Sequence, residues 1–80
     1  MKLNYFQILD LKAVRKGEIY ISSRGFEFEG NLVDDEARER LDWLWMSDYI
    51  DAMRPDDENE SAQLHLTDDG ADALTRAESP

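Results

Sequence analysis

The chain has 80 residues, a mass of 9.3 kDa and a formal net charge of −10, from 19 acidic and 9 basic residues. A chain of this size buries roughly 60% of its surface on folding, which makes one thin core and excludes a deep active-site cavity beside it. Cysteine is absent, so disulfides and thiolate metal sites are excluded. No apolar run reaches the length of a signal-peptide core or a membrane span, so we expect a single cytoplasmic domain, residues 1–80, without membrane association.

The acidity bears directly on the class of partner. DNA is expected to be repelled at long range, because nonspecific affinity for nucleic acid comes largely from Lys and Arg. Three interpretations stay open: a solvated surface suited to high salt or a high-GC host, a face that binds a basic partner, and a face that imitates DNA. A chain this short also often needs a second copy to cover apolar surface, so we expect a homodimer.

The first predicted helix runs from Tyr5 to Val14 and is followed by Gly17 as a stop signal. Its apolar residues are too many for one narrow stripe, so we expect it to be buried on most sides. Residues 18–22 and 26–29 predict two short strands or a strand and a loop, with turn residues between them. A short helix in this segment, as helix-turn-helix folds often have, stays open.

The clearest helix is predicted from about Asp34 to Ser47, with Asn31 or Asp34 as its N-cap. At about 100° per residue, one side of it forms a core face, and Arg40 near this face is expected to snorkel or to pair with Glu36. The sequence predicts a surface for a partner or for dimerisation on residues Trp43, Trp45 and Met46. Trp43 and Met46 point away from the core face and are expected to be exposed in a monomer; packing under the N-terminal helix is the alternative.

The remaining segments predict a β-hairpin and a closing helix. Residues 49–53 and 62–66 read as strands, and residues 54–61 between them as a polar, acidic turn. Thr67 is expected to cap a last helix, in which Leu74 packs inward.

The motifs of this second half, over about residues 37–76, resemble the signature of winged-helix DNA-binding domains, such as PadR-type and multiple-antibiotic-resistance-type regulators. The motifs are, in order, Leu41-x-x-Leu44, Asp48-Tyr49-Ile50, a polar hairpin and Leu66-Thr67-x-x-Gly70-x-x-x-Leu74. The first half is similar to small winged-helix proteins of actinobacteria and their phages. The pattern that carries this similarity is Leu11-x-x-Val14-x-x-Gly17-x-Ile19.

The resemblance implies an α/β (α+β) fold, a small winged helix of about three helices with a C-terminal β-hairpin wing and a closing helix. It also implies a transcriptional regulator that binds double-stranded DNA as a dimer. The chain departs from the family where Asp48 replaces a usual glycine, and where the recognition helix and wing tip carry acids in place of basic residues.

For DNA binding, the available donors are expected to converge on one face. They are Lys12, Arg15, Lys16, Arg24, Arg38 and Arg54. An ordinary surface ion pair is the alternative for each arginine. The alternative function is an acidic protein-interaction module on a winged-helix frame, without DNA binding, that holds a host protein through the two tryptophans and Met46 or through the acidic hairpin turn. A DNA mimic is a further alternative.

The sequence contains no pattern that indicates catalysis. His65 has no cysteine or second histidine at ligand spacing, and the acidic run at residues 56–60 lacks the glycine and spacing of an EF-hand. The carboxylate pairs have no pocket, and there is no glycine-rich phosphate loop. We therefore expect no enzyme activity, no metal, no cofactor and no small-molecule substrate.

Overall fold

A computed structural model describes residues 3–52 and 61–78, which form an α+β domain of three helices and five strands. The elements in chain order are α1 (Tyr5–Arg15), β1 (Ile19–Ser22), β2 (Gly25–Phe28), β3 (Asn31–Leu32), α2 (Asp35–Met46), β4 (Ile50–Ala52), β5 (Ala62–Leu66) and α3 (Asp68–Glu78). The strands pair in the order β3-β2-β1-β5-β4, and every pair is antiparallel. Within these two ranges, no helix combines the length and apolar character that crossing a membrane requires.

The helices cover one face of the sheet, and the core lies between the two layers. Ile19 on β1 and Phe26 on β2 face the helices and are buried. Tyr20, the neighbour of Ile19 on β1, points to the opposite face and is exposed. Leu64 on β5 extends the same buried face. The core residues are Leu11, Val14, Ile19, Phe26, Leu41, Leu44, Ile50, Leu64 and Leu74.

The structure confirms the three helices and the strands of the predicted hairpin, and it resolves the open segment after α1 as strands. Gly25 and Gly30 have positive φ angles of 128° and 82°, so the chain reverses twice and builds β1, β2 and the unpredicted β3. A helix-turn-helix needs two helices joined by a short turn. Here three strands separate α1 from α2, so the described residues fit an α+β fold but not the specific winged-helix arrangement.

The prediction that α1 is buried on most sides is wrong. Leu11 and Val14 are buried, whereas Tyr5, Phe6 and Leu9 are 68%, 58% and 41% exposed. The helix packs against β5, α2 and α3 with one side only. A domain of this size has too few elements to cover a helix all round.

The segment that follows α2 packs closely against the start of α3. Asp48, two residues after the end of α2, has a φ of 63°, a left-handed conformation that Asp adopts more readily than most residues. The Thr67 hydroxyl donates to the Asp48 carbonyl and accepts from the Gly70 N–H at 3.0 Å. Gly70 lies directly on the backbone of Tyr49: a Cβ added to it would come within 1.9 Å of the Tyr49 carbonyl oxygen.

Candidate functional site

The basic residues predicted to contact DNA fall into two groups. Lys12, Arg15 and Lys16 lie at the C-terminal end of α1, where they complement the helix dipole. Arg24 lies in the turn between β1 and β2, and Arg38 lies on α2 beside that turn. The whole of β1, about 13 Å long at 3.3 Å per residue, separates the two groups. Arg54 lies outside the described residues.

One of these arginines is already paired. Arg15 donates to Glu78 near the end of α3 at 2.9 Å, which is the ordinary ion pair expected as its alternative role. No salt bridge to a residue of ranges 3–52 and 61–78 is formed by four of the others, namely Lys12, Lys16, Arg24 and Arg38. Four cations therefore stay available to a ligand as far as these ranges are concerned.

A groove of about 230 Å³ lies between α2 and the β1–β2 turn. Its aromatic wall is Trp45, whose ring meets Phe26 edge to face at 6.4 Å between centroids. Arg38 and Asp42 supply one charge of each sign. The Arg38 guanidinium can approach a phosphate here, but the Asp42 carboxylate opposes one.

The solvent face of α2 is an acidic stripe that ends in a methionine. Asp35, Glu39, Asp42 and Met46, which we call the α2 stripe, lie within about 60° of one another at 100° per residue. All four are exposed, and Met46 is 82% exposed. The stripe is about 16 Å long. The resemblance assigns this helix to DNA recognition, but its outer face presents carboxylates.

The predicted partner surface of Trp43, Trp45 and Met46 is largely used inside the fold. Both tryptophans are half-buried and pack against the core, and Trp43 meets Tyr49 edge to face at 5.9 Å. The expectation that Trp43 is exposed is wrong, because the turn at Asp48 brings Tyr49 back against it. Met46 alone of the three is exposed, as expected.

A second surface, which the sequence did not predict, lies on α1. Tyr5, Phe6 and Leu9 form its apolar part, and Lys12 and Lys16 continue it toward the helix C-terminus; we call these five residues the α1 surface. Tyr5, Leu9 and both lysines lie within about 60° of one another around the helix. The excess of apolar residues in this segment is the signal that the sequence offers, but it predicts burial and not an exposed surface.

An ion pair joins α1 to α2 beside this surface. The Arg40 Nε donates to Asp10 Oδ2 at 2.7 Å, and the Arg40 guanidinium lies 5.4 Å from the Phe6 ring centroid. The two side chains are 27% and 13% exposed. The partner of Arg40 is therefore Asp10, 30 residues away, and not Glu36, the local alternative expected from the sequence.

Burial and the hydrogen bond between the two side chains shift the pKa values of Asp10 and Arg40. Desolvation raises the pKa of Asp10 above its ordinary value of 3.8, and the hydrogen bond from Arg40 opposes that rise. The pKa of Arg40 is also raised, mainly by its hydrogen bond to Asp10, with smaller contributions from the charges of Asp34 and Glu36.

Comparison of the chain with protein-family models, curated proteins and solved structures yields no match. The resemblance to winged-helix regulators therefore stands on the sequence motifs alone.

Proposed function

We propose that the chain is an acidic protein-interaction module whose α2 stripe binds a basic surface of another protein. The observation that carries this proposal is the exposed line of Asp35, Glu39, Asp42 and Met46 on one helix face. Three carboxylates attract Lys and Arg of a partner and speed its approach. Met46 adds an adaptable apolar contact, of a kind over-represented at binding surfaces. The overall charge of −10 extends the same attraction beyond the stripe.

The test is affinity capture with the wild-type chain and with the double variant E39K/D42K, each immobilised. The amount of one captured protein is then compared between the two chains. We expect the double variant to bind about tenfold more weakly, a loss of roughly 1.4 kcal/mol, because two attractive contacts become repulsive. The loss is expected to shrink as the salt concentration rises, because ions screen exposed charges.

The matched control is E29K/D72K, which changes the net charge equally but lies on the β2–β3 turn and on α3. It is expected to retain capture of the same protein. If both double variants lose capture to the same degree, the net charge and not the α2 stripe attracts the partner, and the proposal is wrong.

DNA binding, as a winged-helix-like transcriptional regulator acting as a dimer, is the second candidate function. The observation that favours it is the position of Arg38 in the groove beside the β1–β2 turn, next to the turn that carries Arg24. Neither arginine forms a salt bridge with another described residue. The α2 stripe beside Arg38 weighs against it, because its carboxylates repel phosphates.

Fluorescence anisotropy of labelled duplex DNA, titrated with protein at about 20 mM salt, tests this candidate where nonspecific attraction is strong. If DNA is bound, R38A is expected to lower the affinity and to reduce the dependence of log affinity on log salt by about one. The control R76A removes the same charge from α3, away from the groove. An unchanged anisotropy at low salt contradicts DNA binding and leaves the protein-interaction proposal untouched.

A further inference from the structure

A cleft of about 320 Å³ lies between the C-terminal end of α1 and strand β5. Arg15 and Lys16 line it from the side of the helix, and His65 lines it from the strand. Among residues 3–52 and 61–78, no acidic residue lines this cleft. The chain has about two acidic residues for each basic one, so a cleft with only basic charged groups differs from the rest of the molecule and favours an anion.

One wall of the cleft is fixed by a contact between α1 and β5. The Gln63 Nε2 donates to the Gly17 carbonyl oxygen at 2.9 Å, and both residues line the cleft. Gly17 has a φ of 76°, and a Cβ added to it would come within 2.3 Å of the Gln63 Nε2. The hydrogen bond holds the end of the helix against the strand, so little ordering of the backbone is required when a ligand binds.

The carbonyl groups at the end of α1 would ordinarily oppose an anion, because this end of a helix carries partial negative charge. Here the carbonyl oxygens of residues 12–14 accept hydrogen bonds from the N–H groups of residues 16–18, at 2.9–3.1 Å. The Gly17 carbonyl oxygen accepts from Gln63. The hydrogen bonds occupy these oxygens, which leaves the basic side chains as the main charged groups that a ligand meets.

The chain already places a carboxylate on one of these cations. The Arg15 Nη1 donates to Glu78 Oε1 at 2.9 Å, and the two side chains are 49% and 38% exposed. An ion pair as exposed as this one contributes little stability, so it opens readily. Glu78 therefore shows that Arg15 can hold an anionic oxygen, and it would compete with an external anion for the same guanidinium.

We propose that this cleft binds a phosphate group. A phosphate monoester carries about −1.5 to −2 charges at pH 7 and three strong acceptor oxygens. Arg15 and Lys16 supply two positive charges, and the His65 imidazole has an N–H donor whether or not it is charged. A carboxylate has only one charge and fits these three donors less well. The volume lies near the lower limit for small-molecule sites, so the cleft fits a phosphate with a small substituent.

Titration of ¹⁵N-labelled protein with inorganic phosphate, at pH 7 and constant ionic strength, tests the site by NMR chemical shifts. We expect saturable shifts on the amides of residues 14–17 and 63–66, with a dissociation constant of about 1 mM, because the cations are exposed and the net charge repels anions. Acetate is expected to bind at least about threefold more weakly. Shifts that do not saturate, or equal binding of acetate, would overturn the proposal.

The variant K16Q tests whether the cleft itself attracts phosphate. It removes a cation that lines the cleft and is expected to weaken phosphate binding at least about threefold. The matched control is K12Q, which removes the same charge one turn earlier on α1, outside the lining, and is expected to have a smaller effect. Circular dichroism verifies that both variants keep their helices. Equal losses would mean that the charge of α1 in general attracts phosphate, which contradicts a site in the cleft.

The variant E78Q tests the competition at Arg15. It releases the guanidinium from its internal carboxylate and is expected to strengthen phosphate binding about threefold. The control E29Q changes the net charge equally on the β2–β3 turn and is expected to bind phosphate almost like the wild type. An equal effect of the two variants would exclude Arg15 from the site and overturn the proposed set of three donors.

A peptide with one phosphoserine and no other charged side chain identifies the source of the phosphate. Tighter binding than that of inorganic phosphate, with the same shifted amides, indicates a phosphorylated segment of a partner protein. Equal or weaker binding at the same amides indicates a small phosphate compound. Both results support the phosphate site, and it is overturned if neither probe shifts these amides. The α2 stripe contributes no residue to the cleft, so this inference and the proposed function fail separately.

Discussion

The variant G70A is expected to lose most of its folding stability. Replacement of glycine by alanine inside a helix ordinarily stabilises it by about 1 kcal/mol. Here the new methyl group would lie 1.9 Å from the Tyr49 carbonyl oxygen and 2.8 Å from its carbonyl carbon. Both neighbours are backbone atoms, so no side-chain rotation relieves the contact. We expect a net loss of about 3 kcal/mol or more in the free energy of unfolding.

Urea unfolding followed by circular dichroism measures this loss. The matched control is G30A, where a Cβ meets nothing within 4 Å although φ is 82°. That variant is expected to lose only about 1 kcal/mol, the cost of a side chain in the left-handed region. Gly70 is helical and has no positive φ, so a loss in G70A no larger than that in G30A would contradict the contact with the Tyr49 backbone as the reason for glycine at residue 70.

The variant R40M is expected to be the second most destabilised, with a loss of about 2 kcal/mol at neutral pH. It leaves the Asp10 carboxylate, only 13% exposed, without its hydrogen-bonding cation. The reverse change, D10N, is expected to cost less than about 1 kcal/mol, because Arg40 stays over Phe6 and can extend to water. The double variant D10N/R40M is expected to recover part of the loss, since no buried charge remains.

The pH dependence follows from the raised pKa of Asp10. The folded state binds this proton more tightly than the unfolded state, so the stability from the group is fully present below its ordinary value of 3.8. It is lost as the pH rises through the pKa in the folded protein. Removal of Arg40 raises that pKa further, so the loss in R40M should grow with rising pH and nearly vanish below pH 3.8.

Chemical denaturation of the wild type, D10N, R40M and D10N/R40M tests these predictions. Each protein is measured below pH 3.8 and at neutral pH. As a control, R76M removes an exposed pair with Asp72 and should change the stability by less than about 0.5 kcal/mol at either pH. Equal losses in D10N and R40M would contradict the asymmetry argued from burial.

Local sequence determined most of the secondary structure. The apolar spacing of α2 and the N-cap at Asp34, which accepts from the Ala37 N–H at 2.8 Å, act over a few residues and could be read directly. The same holds for β4, β5 and the Thr67 cap of α3. The acids of α2 are also visible in the sequence, as a departure from the family it resembles, but the sequence by itself predicts no binding face on Asp35, Glu39 and Asp42.

Tertiary structure decided which of these faces stay uncovered. The apolar excess of α1 predicts burial, but its packing against β5, α2 and α3 sets how much of the helix is covered, and this packing leaves Tyr5 and Phe6 exposed. The pairing of Arg40 with Asp10 and the contact of Trp43 with Tyr49 likewise depend on the positions of separate elements. Helix period and capping are local interactions, whereas exposure depends on contacts between residues distant in the chain. The surface proposed for binding depends on exposure, so only the tertiary structure decides it.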